Sequence, residues 1–310
     1  MKIIVAVSGG VDSAVMLHQL VQQGLGVRGQ ASGTLIPNPS PQSPKFIVAH
    51  VDHGLRADSA ADARFVAGLA AQYGLAFERT RLELDGSSEA GARAGRWQFL
   101  HQVKQKHQAD AIATAHHQDD VIETMLINLL RGTNRKGLTS LRQRSGIARP
   151  LLELNKQQIY AYALENKLEW VQDTTNSSDD YLRNRIRHYL TPQLTDEQRQ
   201  QLLDIYENLT NINQSLDRTL QTAADELAEP SGHGIRIETE HINQLELKLQ
   251  RELFATWWQQ LHGSPPPDSL QLERMVEATR EPKTGNLYQM ANGTRLRINR
   301  GNFELFINDD

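Results

Sequence analysis

The sequence predicts an α/β protein, a doubly wound and mostly parallel sheet followed by a second, smaller α+β domain. Three observations predict it. Short β-rich apolar runs alternate with longer helical patterns from the first residue onward, which is how consecutive βαβ units read. A Gly-rich turn, Ser8-Gly9-Gly10-Val11-Asp12-Ser13, follows the first apolar run directly and leads into a helix. After Pro192 the alternation stops and helices dominate as far as about Arg280. Because 310 residues exceed what one hydrophobic core usually supports, two domains are expected, at residues 1–192 and 193–310.

The strands are expected at residues 3–7, 46–51, 77–82 and 111–115, with a fifth at 147–151. Helices should begin near Asp12, Ala57, Ser87 and Gln118, each after a turn-forming or acidic stretch. Sheets of this kind bind ligands at the carboxyl ends of their strands, so chemical motifs belong just after strands. Residues 28–45 carry four prolines among Gly and Ser and read as an exposed loop between the first helix and second strand. In the second half, residues 234–239 read as a strand, and the stretches around Asn292-Gly293 and Arg300-Gly301 read as hairpins.

Composition narrows the function. No apolar run approaches the ~20 residues of a membrane helix, and the apolar stretch after Lys2 is too short for a signal-peptide core, so a cytoplasmic protein without a membrane partner is expected. There is no cysteine, which excludes disulfides, thiolate metal sites and persulfide chemistry on the chain. Residues 1–192 hold 22 Lys+Arg against 18 Asp+Glu, net +4, and residues 193–310 hold 11 against 19, net −8, giving the chain's −4. A polyanion partner therefore suits the first half. Monomer and homodimer both remain open.

The opening turn has the chemistry of a phosphate site. Glycines let successive N–H groups converge on an oxyanion, and the following helix adds its positive end. Ser8 and Ser13 supply hydroxyls, and Asp12 is suited to hold Mg2+ against phosphates. No Gly-Lys-Ser/Thr closes the turn, so it is not a Walker loop. A helix cap in a plain Gly-rich turn is the competing reading for this stretch alone.

SGGVDS resembles the SGGxDS signature of the ATP pyrophosphatase (PP-loop) superfamily, which implies a Rossmann-like fold and cleavage of ATP to AMP and pyrophosphate. Five further blocks resemble the tRNA(Ile)-lysidine synthase family. They are His50-Val51-Asp52-His53-Gly54-Leu55-Arg56, the Glu89 to Trp97 stretch with Arg93 and Arg96, and Ala115-His116-His117-Gln118-Asp119-Asp120-Val121-Ile122-Glu123-Thr124. The others are Arg131-Gly132-Thr133-Asn134-Arg135-Lys136-Gly137-Leu138 and Asp173-Thr174-Thr175-Asn176 with Tyr181-Leu182-Arg183-Asn184-Arg185-Ile186-Arg187; Arg149-Pro150-Leu151-Leu152 repeats the family's RPLL. Trp97 stands where tyrosine is usual, and Asn134 replaces a glycine whose left-handed backbone it is expected to tolerate.

The resemblance implies ATP and Mg2+ as cofactors, with Ser8, Gly9, Gly10, Val11, Asp12 and Ser13 around the pyrophosphate, Val51 and Asp52 at the adenine, and Asp12 on the metal. Asp12, Arg93, Arg96 and Arg187 are the expected catalytic residues. His116, Asp119, Asp120, Glu123, Arg131 and Arg183 are expected to bind substrates. Asp120 and Glu123 lie three apart on one helical face and suit the amine of lysine or a metal, of which the resemblance favours lysine, although an acidic first turn that only complements the helix dipole has the same pattern. The six Lys/Arg between Arg131 and Arg149, with no acid among them, suit the tRNA backbone. The implied reaction joins L-lysine to C2 of the wobble cytidine of tRNA(Ile) with a CAU anticodon. ATP first adenylates the cytidine O2. The second domain resembles the family's first C-terminal domain, which contacts tRNA, and longer members carry another beyond it. A tRNA thiolase of the same superfamily, or a nucleotide-binding sensor without catalysis, are the alternatives; the first generally needs cysteines.

Overall fold

The computed structural model describes residues 1–24, 45–52, 59–82, 89–142, 145–172, 182–232, 234–263 and 267–307. The chain divides into two compact units, Met1–Thr210 and Asn211–Asp310. That division falls inside one 32-residue helix, α8 (Asp196–Leu227), rather than after residue 192. A change of composition near Pro192 marks where strands stop, whereas packing assigns the first turns of α8 to the first unit.

The first unit carries a five-stranded parallel sheet in the order β3-β2-β1-β4-β5. Its strands are β1 (Lys2–Ala6), β2 (Lys45–Asp52), β3 (Ala76–Arg81), β4 (Ala111–Ala113) and the two-residue β5 (Ile147–Ala148). The crossovers include α1 (Val11–Gly24), α2 (Ser59–Gln72), α3 (Glu89–Lys106), α4 (Gln118–Leu130), the short α5 (Arg135–Leu138), and, beyond β5, α6 (Lys156–Glu165). Alternate residues of β1 face opposite sides, as a strand requires. Ile3 and Val5 pack with Val15, Val66 and Ile159 of α1, α2 and α6, while Ile4 packs with Leu100 and Val103 of α3. Both faces of the sheet are thus covered, and the predicted doubly wound fold is observed.

Strand order fixes where a ligand belongs. β1 pairs with β2 on one side and β4 on the other, Val5 facing Val48 and Ala113. Chain connections leave β1 and β4 toward opposite edges, which opens a crevice above their carboxyl ends.

The first unit continues through α7 (Leu182–Arg185), a π-helical turn Ile186–Leu190 and a 3-10 turn Thr191–Gln193. In the second unit an antiparallel sheet has the order β6-β7-β10-β9-β8, formed by β6 (Ala228–Ser231), β7 (Gly234–Glu238), β8 (Leu287–Gln289), β9 (Thr294–Ile298) and β10 (Asn302–Ile307). Helices α9 (Thr239–Asn243), α10 (Leu247–His262) and α11 (Ser269–Arg280) lie between β7 and β8 in sequence. Phe254, Trp257 and Trp258 of α10 form its core with Leu296, Phe303 and Leu305. The expected hairpin at Asn292-Gly293 is present, both residues taking positive φ, 52° and 72°. β6 escaped sequence reading because Pro230 argues against a strand; it is tolerated at the sheet edge, where its missing N–H breaks no inner ladder.

Candidate active site

The turn after β1 is shaped by Gly9. Its φ of 100° is strained for any residue with a side chain, and an added Cβ would sit 3.4 Å from Val66 Cγ2. Its carbonyl accepts the Val171 N–H at 2.9 Å, tying the chain after α6 to the turn. Ser13 Oγ accepts the Gly9 N–H (3.2 Å) and donates to the Gly10 carbonyl (2.9 Å), while Ser8 Oγ lies 3.3 Å from Ser13 Oγ. Val11, Asp12 and Ser13 occupy the first turn of α1, where N–H groups have no intrahelical acceptor.

The acidic block after β4 faces the same crevice. His117 is extended (φ −127°, ψ −176°) and precedes α4, and Asp120 Oδ2 accepts its N–H at 3.1 Å. Asp120 therefore caps the start of α4. The buried His117 ring lies among three carboxylates, with Nε2 3.9 Å from Asp12 Oδ1 and 3.6 Å from Asp120 Oδ2, and Nδ1 3.5 Å from Asp119 Oδ2. The neighbouring His116 turns elsewhere: its Nδ1 is 2.9 Å from Thr114 Oγ1. Burial holds the His116 imidazole at a pKa of about 4; Asp120 opposes that shift, and Arg149, Arg96 and Arg93 reinforce it. Arg93 and Arg96 of α3 thus project their charge onto the end of β4.

Glu123, 2% exposed, is gripped by Arg187 through two hydrogen bonds, Nε to Oε1 at 2.7 Å and Nη2 to Oε2 at 2.8 Å. Arg187 Nη2 also lies 3.3 Å from Asp120 Oδ1. Burial pushes the Glu123 carboxyl up, with Arg187 pulling it back. Burial alone would raise Asp120 too, but His117, His116 and Arg187 together hold it below its usual value. Arg183 donates to Thr124 Oγ1 at 2.7 Å and stands 3.9 Å from Glu123. Arg187 sits in the π-helical turn, a local irregularity that often accompanies functional positions.

Asp119 is placed differently from Asp120. Its Oδ2 accepts the Lys156 N–H (3.0 Å) and its Oδ1 meets Arg199 Nη1 (2.5 Å), so it braces the starts of α6 and α8. Arg131 caps the far end of α4, exposed and roughly 16 Å along the helix from Asp120; the fold does not bring it to the other residues. Arg149 points inward, 4% exposed, with Nη1 donating to the Arg142 carbonyl at 2.6 Å, so the basic run is not a uniform outer face. Asn134 is not left-handed: at φ −71° it caps α5, its side chain accepting from the Gly137 N–H, and Gly132 (φ 64°) takes the positive angle instead. Val51 and Asp52 end β2 beside the turn, the Asp52 carbonyl accepting from Leu82 N at 2.8 Å. The expected roles of His53, Gly54, Leu55, Arg56, Asp173–Asn176, Tyr181 and the proline-rich insertion fall on residues outside the described ones, save Lys45, which starts β2.

Two residues escaped sequence reading. Lys156 Nζ lies 2.5 Å from Asp12 Oδ1, and Arg199 reaches Asp119 from α8. Neither belongs to a recognisable block; each meets its partner only through the fold.

A parallel sheet with a Gly-rich turn at its switch point, flanked by carboxylates and arginines, defines a doubly wound α/β protein of the ligand-binding kind. More narrowly, the chain belongs to the PP-loop domain family, whose model matches residues 1–194. Among curated relatives it is 34% identical over 290 residues to a tRNA(Ile)-lysidine synthase of Solibacter usitatus, covering 91% of this chain and 62% of that one. It is 33% identical over 270 residues to the tRNA(Ile)-lysidine synthase of Bacillus subtilis, covering 80% and 53%. The chain thus spans between half and two thirds of these relatives' lengths. Among solved structures, a U34-tRNA thiolase of Methanococcus maripaludis shares the fold at TM-score 0.50 and 18% identity, covering 67% of this chain and 71% of that one. That thiolase carries a [4Fe-4S] cluster, whereas this chain has no cysteine to ligate one. No helix among the described residues is long and apolar enough to cross a membrane.

Proposed function

We propose that this protein ligates L-lysine to C2 of the wobble cytidine in the CAU anticodon of tRNA(Ile), consuming ATP and releasing AMP and pyrophosphate through an adenylated cytidine. The observation that carries this reading is the placement of Asp120 and Glu123, with Arg187, beside the Ser8 to Ser13 turn, where His117 lies near both Asp12 and Asp120. The lysidine synthases among the relatives support the substrate choice.

The turn and the first-turn N–H groups of α1 would hold the β- and γ-phosphates, and the ends of β2 would meet the adenine. Asp12 fits a Mg2+ ion, since its carboxylate already holds a cation, the Lys156 ammonium, at Oδ1. Among the described residues no group of three acidic or His side chains is arranged as a complete metal site. The ion would take its other ligands from phosphates and water, and it would supply screening of the phosphate charge.

Arg93 and Arg96 would bear on the α-phosphate, from the side on which their charge already reaches His116. Lysine would reach Asp120 and Glu123 by taking the place of the Arg187 guanidinium, which is then free for phosphate. The ε-amine must shed a proton whose ordinary pKa is ~10.4. The arginines favour the neutral amine and the carboxylates favour its charged form. On this reading the first unit carries the chemistry, the second contacts tRNA, and the protein works in the cytoplasm beside its tRNA.

The test is incubation with ATP, labelled lysine and tRNA(Ile) bearing CAU. Label should become tRNA-bound, and pyrophosphate release should depend on the tRNA and collapse in Asp12→Ala; label that never enters tRNA overturns the proposal.

A further inference from the structure

We propose that Lys156 is the phosphate-binding lysine of this site, held on Asp12 until nucleotide and metal arrive. The inference rests on the nucleotide reading of the Ser8 to Ser13 turn. That turn contains no lysine of its own, unlike phosphate loops that close on one. The cation comes instead from α6, 144 residues away in sequence, and stands 2.5 Å from Asp12 Oδ1.

The base of Lys156 is fixed through its backbone, while its ammonium is held by the Asp12 carboxylate. Its N–H is held by Asp119 at 3.0 Å, and Asn155 caps the helix, its side chain accepting from the Gln158 N–H at 2.9 Å. The ammonium lies 5.1 Å from the Tyr160 ring centroid, which supports a cation without anchoring it. Lys156 and Asp12 are 36% and 29% exposed, and an ion pair that open to water does little for stability. Holding α6 to α1 is therefore a poor account of the contact.

A Mg2+ ion would bind a carboxylate oxygen at ~2.0–2.1 Å, which puts it within a few ångströms of the ammonium now on that oxygen. Repulsion between the two cations would then favour release of Lys156 from Asp12. The freed ammonium hangs beside the first turn of α1, where phosphate oxygens would collect. The same positive charge that pairs with Asp12 before loading would pair with a phosphate oxygen after it.

Calorimetric titration of the full chain with inorganic pyrophosphate, an α,β-methylene ATP analogue and AMP, with and without Mg2+, tests this. Lys156→Met should weaken pyrophosphate and analogue binding in Mg2+ by roughly ten- to a hundredfold and leave AMP binding unchanged, while Lys156→Arg keeps most of the affinity. Asp12→Asn, which releases Lys156, should bind metal-free pyrophosphate more tightly than the unaltered protein, and Asp12→Asn/Lys156→Met should lose that gain. Unchanged pyrophosphate affinity in Lys156→Met, or no gain in Asp12→Asn, overturns the assignment while leaving the nucleotide reading intact. An unaltered protein that binds neither pyrophosphate nor analogue overturns both. If Lys156→Met fails to fold, the Arg and Asp12→Asn arms decide.

Discussion

Removing Arg187 strands Glu123, and the cost can be worked from the geometry. The carboxylate is 2% exposed and receives two hydrogen bonds from the guanidinium, at 2.7 and 2.8 Å. Breaking a buried pair by deleting one partner costs ~3–5 kcal/mol. The Arg187 side chain is 34% exposed, so part of its interaction is already screened, and about 2–3 kcal/mol is expected for Arg187→Ala. Glu123→Gln should cost less, because Arg187 keeps Asp120 at 3.3 Å. The double variant should recover part of the sum, with a coupling of about 2 kcal/mol. The loss in Arg187→Ala should also shrink as pH falls. Burial already pushes the Glu123 carboxyl up; without Arg187 it binds a proton more readily folded than unfolded, so acid stabilises the folded state. Because two units need not unfold together, the assay is hydrogen exchange of peptides spanning Gln118–Leu130, read against peptides of the second unit. Single-variant losses below about 1 kcal/mol with no coupling would mean that the pair is solvent-bridged and the reasoning wrong.

Other consequences are as direct. His116, neutral down to about pH 4 when folded, takes up a proton below about 6.5 when unfolded. Stability should therefore fall across that window, by up to roughly 3 kcal/mol from this residue, and the slope of unfolding free energy against pH should flatten in His116→Asn; equal slopes refute it. Gly9→Ala forces a side chain into φ 100° against Val66; it should cost about 1–3 kcal/mol and weaken ATP-analogue binding, both readable by thermal shift with and without ligand. Asp119→Ala should loosen α6 and the start of α8, which predicts faster exchange in those helices and weaker nucleotide binding through a misplaced Lys156. If only lysine KM moved, Asp119 would be a substrate ligand rather than a brace.

The sequence alone determined the doubly wound sheet, because apolar period, turn residues and helix starts are local signals. It also placed the Gly-rich turn after β1 and the acidic block after β4, since such turns and acidic first turns are written in consecutive residues. Even there its boundaries were generous: β5 is two residues long where five were expected, because only Ile147 and Ala148 find partners on β4.

Side-chain partners were decided by tertiary structure. Asp119 and Asp120 are adjacent, yet one is held by Arg199 and the Lys156 N–H and the other by the His117 N–H and Arg187. Arg131 and Arg149 looked like ends of one basic run, yet one is exposed and the other buried. Lys156 carried no local signal, because its meaning lies in Asp12, 144 residues away. A sequence shows which charges a chain owns; only the crossing of its strands brings them within the few ångströms over which charges choose partners.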